Sequence, residues 1–526
     1  MKPNKHSILI VLAIFATLGC RDKTKTDNDG KEDINSGQLY TEAYRPQFHF
    51  TPSKMWMNDP NGLVYHEGMY HLFYQYYPED IVWGPMHWGH AVSEDMIHWE
   101  QKPIALYPDE KGYIFSGSAV IDKGNSSGFA AQGKEALVAI FTYHDPEGEE
   151  AKTMTFQTQG IAYSLDNGES WTKYEGNPVI DNDGIKDFRD PKVFWHDESQ
   201  SWIMALVAGD HAKFYRSSDL KNWTYLSEFG REVGGHGGVW ECPDLFQLQV
   251  EGSDEKKWVL LISINPNAPN GGSGTQYFIG EFNGTEFSSD QQEARWLDWG
   301  RDNYAGVTYN NVPDGRRIFI GWMSNWDYAR DTPTDKWRSA MTVPRKLSLK
   351  RIGDSYELLN YPLDEFKGIV QPEFKKNMVV GGLKTHHFTF DHFNESEINF
   401  RTALRDFEMY FSNDKGDTLL LSMNQEKAEF VLDRSQSGKV DFHEKFAPGV
   451  QRMPIGNLPE NPFEIRILMD WSSIEVFINQ GQYVLTAQIF PNEFYKELDI
   501  SNQNTSDLIL LDFEVNAVER IWENSP

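Results

Sequence analysis

Short hydrophobic runs separated by turn residues dominate the chain from Phe48 onward. The runs are rich in aromatic and β-branched residues, and clear examples span 71–77, 136–143, 202–207 and 258–264. Runs of this length, bounded by Gly, Asn, Asp and Pro, are typical of β-strands. Because no long amphipathic helical pattern occurs before residue 350, we predict an all-β fold.

A loose repeat indicates how these strands are grouped. Residues 93–99 and 217–223 share the form S-x-D-x-x-x-W, and 164–171 has the same form with one extra residue. Ser and Asp side chains cap turns, and the Trp can pack the returning strand. The Trp residues are 72 and 52 positions apart, which suits the four-stranded units of a β-propeller. Three unrelated hairpins are the alternative, and the repeat does not give a number of blades.

The pattern changes after Pro344. Over 464–470 and 473–479, hydrophobic and other residues alternate with a period of two, which predicts half-buried antiparallel strands of a β-sandwich. The change in pattern falls between Leu349 and Phe366. We therefore predict a propeller over 46–355 and a sandwich over 356–526.

The amino-acid composition excludes several classes of protein and of binding partner. The 526 residues include 49 Lys and Arg against 78 Asp and Glu, a formal charge of −29, and 14% are aromatic. So many aromatic residues exclude a disordered chain. The acidic charge makes nucleic acid a poor partner, because phosphate binding needs clustered cations. Two cysteines are too few for a disulfide scaffold.

The first residues resemble a targeting signal. Lys2 and Lys5 precede an apolar run over 8–18, which is too short to span a bilayer and ends at Gly19-Cys20. This ending resembles a bacterial lipoprotein box, so we predict a signal over 1–20, a lipid on Cys20 and a flexible polar tether over 21–45. The protein would then be exported and anchored in the cell envelope, in the periplasm or on the outer surface. Ordinary signal cleavage is the alternative.

Three carboxylates have unusual neighbours in the sequence. Asp59 lies in the turn-rich stretch Trp-Met-Asn-Asp-Pro-Asn-Gly at 56–62, Asp190 follows Arg189, and Glu241 is flanked by Trp240 and Cys242. Apolar surroundings favour the neutral form of a carboxyl, which a general acid needs. A structural turn, a surface ion pair and a Glu–Arg pair are the respective alternatives. Carboxylate pairs cleave glycosidic bonds and aromatic faces stack on sugars, so together they point to sugar chemistry.

Other chemistry is poorly supported. His87 and His90 form an H-x-x-H pair without an evident third ligand, and the glycines at 234–238 lack the G-K-[ST] ending of a phosphate loop. We therefore predict no metal site and no cofactor.

These stretches resemble the three hallmark motifs of glycoside hydrolase family 32, which holds invertases, inulinases, levanases and other β-fructosidases. The motifs are 56–62, Phe-Arg-Asp-Pro at 188–191 and Glu-Cys-Pro at 241–243. Further similar stretches follow in the same order, at 83–90, 115–118, 321–326 and 337–345. The resemblance extends from about residue 48 to 350 and continues more weakly to the end of the chain.

The resemblance implies a five-bladed β-propeller followed by a C-terminal β-sandwich. It implies that Asp59 is the nucleophile, Glu241 the general acid and then base, and Asp190 the stabiliser of the transition state, with Cys242 as an apolar neighbour of Glu241. Seven residues would bind substrate: Asn58, Gln75, Trp83, Phe115, Ser116, Arg189 and Trp326.

The implied activity is hydrolysis of β-fructosidic bonds in levan or inulin, and in sucrose, with retention of configuration. Retention requires the two reacting carboxyls to lie roughly 5–5.5 Å apart. The similarity at 83–90 and 321–326 favours cleavage from chain ends. The alternatives are an endo-levanase or endo-inulinase, a non-catalytic glycan-binding lipoprotein, and a different five-bladed glycosidase of inverting mechanism. The sequence does not give the preferred linkage or the oligomeric state.

Overall fold

The computed structural model describes residues 40–391, 393–456, 458 and 461–522. The predicted signal, Cys20 and residues 21–39 of the predicted tether lie outside these residues. The remainder of the predicted tether, 40–45, is packed against the rest of the chain. Tyr40 stacks on Trp522 with ring centroids 3.9 Å apart, and Arg45 is buried and ion-paired with Glu42. Because aromatic and cationic side chains of residues 40–45 make these contacts, the prediction of a flexible tether is wrong for this segment.

Five sheets, antiparallel except for one parallel strand pair in the first, follow one another along the chain. Blade I consists of Met55–His66, Met69–Tyr77, His87–Ser93, Glu100–Leu106 and the late strand Trp337–Arg338. Blade II consists of Tyr113–Asp122, Ala136–His144, Gln157–Ser164 and Thr172–Lys173, with a short helix at Pro146–Glu150. Blade III consists of Phe188–His196, Ser201–Ala208, Ala212–Ser217 and Thr224–Phe229. Blade IV consists of Val239–Gln249, Lys256–Asn265, Gly274–Phe282, Phe287–Ser288 and Arg295–Trp296. Blade V consists of Tyr304–Thr308, Arg317–Met323, Ala340–Met341, Arg345–Ile352 and Ser355–Pro362.

The five sheets close into a ring around their first strands, here called inner strands. Each inner strand contacts the inner strand of the next blade, and that of blade V contacts that of blade I. The strand Trp337–Arg338 pairs in parallel with the start of Met55–His66 and joins the end of the ring to its beginning. This arrangement is a five-bladed β-propeller, as the family resemblance implied, and the four strands predicted from hydrophobic runs are confirmed.

The S-x-D-x-x-x-W repeat marks one equivalent turn in three blades. Each copy begins at the last residue of a third strand and leads into the fourth. In blade III, Ser217 Oγ accepts the backbone N–H of Asp219, and Asp219 Oδ1 accepts those of Lys221 and Asn222. The hairpin interpretation and its assignment to propeller units are therefore confirmed.

Two six-stranded sheets form the C-terminal β-sandwich. The first runs in the order Val370–Val380, Leu508–Val518, Ser396–Thr402, Phe463–Asp470, Ser473–Ile478 and Tyr483–Gln488. The second runs in the order Thr385–Thr389, Glu497–Asn502, Phe407–Ser412, Thr418–Asn424, Glu429–Gln436 and Val450–Pro454. Short 3-10 turns occur at Asp364–Ile369 and Phe393–Glu395. Facing aromatic and aliphatic side chains of the two sheets make one apolar core.

The strands Phe463–Asp470 and Ser473–Ile478 are more buried than their alternating pattern predicts. Leu468 and Phe477, on the face expected to meet solvent, are fully buried and belong to the apolar core of blades I and V. The prediction of half-burial is wrong because the propeller covers the outer face of this sheet. The last strand of blade V also runs to Pro362, beyond the predicted propeller end at residue 355.

Candidate active site

The predicted site residues converge where the inner strands begin. Each inner strand contributes one residue, which lies within the first five positions of that strand. From blade I to blade V these residues are Asp59, Ser116, Asp190, Glu241 and Tyr304. At or beside each of these residues the pairing with the second strand shifts register. A bulge bends the strand and redirects a side chain, so one irregularity per blade turns these groups toward the common axis.

The motif at 56–62 is part of a strand and not a turn between strands. It lies within Met55–His66, and its pairing shifts between Met57 and Pro60 and again between Asn61 and Val64. Gly62 has a φ of +54°, and a Cβ there would come within 2.7 Å of Phe73. The turn-forming residues therefore make bulges, and the predicted turn is wrong.

Asp59 is held by neutral donors. Ser116 Oγ donates to its Oδ2 at 2.6 Å, and Asn58 Nδ2 donates to its Oδ1 at 3.0 Å. Burial and the nearby charge of Glu241 raise the pKa of Asp59, whereas these hydrogen bonds oppose the rise. Donors aimed at both oxygens fix the orientation of the carboxylate and favour its ionised form.

Asp190 is joined to Asp59 through Cys242. The backbone N–H of Cys242 donates to Asp190 Oδ2 at 3.0 Å, and its Sγ lies 3.7 Å from both Asp190 Oδ2 and Asp59 Oδ2. Burial raises the pKa of Asp190 to about 7, against the lowering effect of Arg189. Burial also raises the pKa of the Cys242 thiol well above its usual value, so this residue stays a neutral spacer between two carboxylates.

Glu241 has charged and polar partners, in contrast to its apolar neighbours in sequence. Arg189 Nη2 donates to Glu241 Oε1 at 2.9 Å, and the Tyr304 hydroxyl donates to Oε2. Arg189 also binds Asp187 at 2.8 Å, and its Nε lies 3.9 Å from Asp190. The Glu–Arg pair that the sequence left open is therefore present. The pair still leaves Glu241 accessible to a substrate for proton transfer, because 19% of its side chain is exposed.

The remaining predicted binding residues surround these carboxylates. Gln75 Nε2 donates to the backbone oxygen of Ile114, two residues before Ser116. The indole N–H of Trp56 donates to Asn58 Oδ1 at 2.7 Å, and the Trp326 ring lies on the Trp56 ring with centroids 5.9 Å apart.

Two further aromatic residues stand on the blade II side. The Trp83 ring meets Phe115 edge-on at 6.1 Å, and Phe115 stacks on His144 at 4.1 Å. Contacts and hydrogen bonds thus join the three predicted catalytic residues to Asn58, Ser116, Arg189 and Trp326, whereas Gln75, Trp83 and Phe115 lie beside this set through the segment 114–116. An aromatic rim around a polar, acidic floor suits a sugar ring.

Three supporting residues were not found from the sequence. Tyr304 contacts Glu241 from a blade whose sequence carries no hallmark motif, so nothing local indicated it. Asp187 pairs with Arg189 two positions along the chain and could have been suspected from that spacing. Thr142, whose Oγ1 accepts the backbone N–H of Asp190 at 2.9 Å, lies in the middle of an apolar strand.

Metal and membrane features were searched over the described residues. They include no group of three or more His, Cys, Asp or Glu arranged to hold a metal ion. No helix in the same part of the chain is long and apolar enough to cross a bilayer.

Comparison with known proteins agrees with the geometry. The model of the glycosyl hydrolases family 32 N-terminal domain matches residues 49–362, and that of the family 32 C-terminal domain matches 369–517. A levanase of Bacillus subtilis is 44% identical over 505 residues, covering 94% of this chain and 73% of the relative. An extracellular exo-inulinase of Aspergillus awamori is 41% identical over 500 residues, covering 86% and 90%.

Solved structures give the same result. The crystal structure of exo-inulinase from Aspergillus awamori has a TM-score of 0.84 at 38% identity and covers 92% of this chain and all of that one. A β-fructofuranosidase of Schwanniomyces occidentalis, solved with fructosyl-erythritol, has a TM-score of 0.81 at 31% identity and covers 92% and 99%. With both domains matched and the predicted carboxylates gathered at one end of the propeller, the chain belongs to glycoside hydrolase family 32.

Proposed function

We propose that this enzyme removes fructose from the ends of fructan chains with retention of configuration. Hydrolysis of β-fructosidic bonds follows from its family and from relatives that are a levanase and an exo-inulinase. The observation that carries the mechanism is the convergence of Asp59, Asp190 and Glu241 from three blades, linked by Cys242 and Arg189.

The reaction takes two steps. Asp59 attacks the anomeric carbon while protonated Glu241 gives its proton to the leaving oxygen, so the glycosidic bond breaks and a fructosyl ester of Asp59 forms. Ionised Glu241 then takes a proton from water. The resulting hydroxyl attacks the same carbon, and the ester bond breaks to regenerate Asp59 and release fructose.

Asp190 has a different role from the reacting pair. Its Oδ2 accepts the Cys242 N–H, and it lies beside Arg189. A carboxylate held in this way can accept hydrogen bonds from fructosyl hydroxyls. These bonds strengthen as positive charge develops on the ring, so Asp190 stabilises the transition state.

The reacting carboxylates can be tested by isosteric substitution. We expect Glu241→Gln to lower kcat on sucrose and levan by about 10²–10⁴-fold, and Asp59→Asn to lower it at least as much. Each variant should keep the thermal stability of the parent within a few degrees. The matched control is Asp254→Asn, an exposed carboxylate far along blade IV, which should keep full activity. Activity of Asp59→Asn close to that of the parent would refute the assignment.

The products distinguish the modes of cleavage. Following levan and inulin digestion by chromatography over time, we expect fructose alone from the first sample, and NMR should show the β-anomer forming first. A ladder of oligosaccharides would instead identify an endo-levanase or endo-inulinase. The absence of any product from levan, inulin and sucrose would favour a glycan-binding protein.

We also propose that the enzyme is exported and lipid-anchored through Cys20. This rests on the sequence Leu-Gly-Cys at 18–20 after a short apolar run, and relatives named as extracellular support export. The full-length protein expressed in a bacterium should incorporate labelled palmitate and enter the detergent phase. A Cys20→Ser variant should do neither. Labelling of that variant would refute the anchor.

A further inference from the structure

The propeller carries a large cleft at the ends of its inner strands opposite the candidate active site. We call it the exit-face cleft, because the inner strands end there, and its volume is about 740 Å³. Its walls include the last residues of the inner strands of blades II and III, around Asp122 and Trp195, together with Gln247 of blade IV and Arg317 of blade V.

The exit-face cleft is separate from the active site. Asp190 is the third residue of the strand Phe188–His196, and Trp195 is the eighth. At roughly 3.3 Å per residue, five positions along a strand place the two side chains about 16 Å apart through the body of the propeller. A sugar held in the exit-face cleft therefore cannot touch the reacting carboxylates.

One wall of the cleft is aromatic and accessible. Trp195 is 40% exposed, and its ring is braced by Trp202, edge-on at 5.1 Å. Phe194 and Trp258, whose rings lie 5.6 Å apart, also border the cleft. An exposed Trp held by a second ring offers a rigid apolar face of the kind that stacks on a sugar.

The cleft also contains polar side chains whose hydrogen-bonding groups are free. Within the described residues, the Gln247 amide and the Trp195 indole N–H make no hydrogen bond. Among the residues that the structure describes, no carboxylate lies within ion-pair distance of Arg317, and its Nη1 makes only long bonds, of 3.4 and 3.5 Å, to Tyr309 and Thr308. Its guanidinium lies 4.9 Å from the Phe246 ring, which fixes its position. The indole and the guanidinium can donate to hydroxyls, and the Gln247 amide can both donate and accept.

The charge of the surroundings favours a neutral ligand. Asp122, Asp197 and Glu198 line the cleft together with Lys123 and Arg317, so acidic and basic groups nearly balance there, while the whole chain carries a formal charge of −29. A polyanion would meet repulsion from the chain as a whole, whereas a neutral polyhydroxyl compound would not. Trp, amide and guanidinium groups around one cleft together match the stacking faces and hydroxyls of a glycan.

We propose that the exit-face cleft is a second, non-catalytic glycan-binding site, and that it binds a fructan chain. The choice of fructan rests on the proposed function, because a fructan is the polymer that the enzyme meets during turnover. A polymer bound there keeps its ends close to the enzyme and raises their effective concentration at the active site. Short substrates gain nothing, since they cannot reach both sites.

The test separates polymer from short substrate. In the full-length enzyme, Trp195→Ala and Gln247→Ala should each raise KM for levan or inulin by about threefold to tenfold, as expected for a lost sugar-stacking contact or hydroxyl partner. Both variants should leave kcat and KM for sucrose unchanged. The matched control is Tyr225→Ala, because Tyr225 is 49% exposed on the outer strand of the same blade and lies outside the cleft.

A binding measurement removes catalysis from the test. In native gels containing levan or inulin, Asp59→Asn should be retarded even with excess fructose filling the active site, and Asp59→Asn/Trp195→Ala should lose this retardation. Equal retardation of both, or none for Asp59→Asn, would overturn the proposal, as would retardation by dextran sulfate alone. Failure of the proposed function would appear separately, as absence of fructose release by the parent enzyme.

Discussion

At the scale of single residues, the active site combines three acids in three different environments. Asp59 has neutral hydrogen-bond donors, Glu241 has a cation and a phenol, and Asp190 has a backbone N–H and a nearby guanidinium. Carboxyls in unlike surroundings can hold different protonation states at one pH. Under the proposed mechanism, this difference lets Asp59 attack while Glu241 donates a proton.

The raised pKa of Asp190, about 7, has a consequence for stability. Between pH 4 and 7 the folded chain keeps a proton that the unfolded chain releases, so the stability contributed by this group falls as pH rises through that window. Asp190→Asn cannot ionise. Its Tm relative to the parent should therefore increase from pH 5 to pH 8, measured by calorimetry. A difference that stays constant with pH, as expected for the exposed control Asp254→Asn, would contradict this.

Tyr304 is expected to position Glu241. Tyr304→Phe removes the hydroxyl that donates to Glu241 Oε2, so kcat on sucrose should fall by about tenfold while KM changes little. Tyr309→Phe is the matched control. Its hydroxyl is buried and has no hydrogen-bond partner in the described part of the chain, so its loss should not lower activity. Equal kinetic effects of the two substitutions would show that Tyr304 acts only through packing.

At the scale of elements, the recurring turn between third and fourth strands is a stabilising unit of the blade. The residue after the repeat's Asp adopts left-handed backbone in blades I and III, with φ of +68° at Met96 and +63° at Leu220. Such a conformation is costly for a residue with a side chain, and the Ser and Asp side chains hold it by capping the neighbouring N–H groups.

The turn can be weakened selectively. Asp219→Ala removes the acceptor for the backbone N–H groups of Lys221 and Asn222, so it should cost about 1–2 kcal/mol in free energy of unfolding, measured in urea. Activity per folded molecule should stay the same, because the turn lies at the outer edge of blade III. Asp254→Ala, at an exposed Asp that makes no such bonds within the described residues, should cost less than about 0.5 kcal/mol. Equal costs would refute the capping role.

At the scale of the whole molecule, buried ion pairs join propeller and sandwich. Arg345 of blade V is fully buried and binds Asp298 at 3.1 Å and Glu475 of the sandwich at 2.5 Å. Arg434 of the sandwich binds Asp302 of the propeller at 2.5 Å. Such pairs are costly to break from one side, because the remaining charge stays buried. The two domains should therefore unfold together.

Arg345→Met tests this coupling. Removal of the guanidinium leaves the buried Asp298 without its cation and Glu475 with His49 alone, at 3.5 Å, so it should cost about 3–5 kcal/mol and lower the Tm. Arg452→Met breaks an exposed pair with Glu429 and should cost less than about 1 kcal/mol. The parent should show a single calorimetric transition. Two separate transitions in the parent, or equal costs of the two substitutions, would contradict the coupling.

The sequence by itself determined the strands, the recurring turns and the family, and it predicted ten site residues. Hydrophobic period, turn chemistry and motifs are each encoded within a few neighbouring residues, so they can be read locally. The tertiary structure decided which residues meet. Closure of the ring brings together Tyr304 and Glu241, which are 63 positions apart in the chain. Packing of the sandwich against the propeller covers the outer face of the strand Phe463–Asp470. Two bulges allow the turn-rich motif around Asp59 to form part of a strand. These outcomes depend on long-range packing, for which no short segment carries a signal.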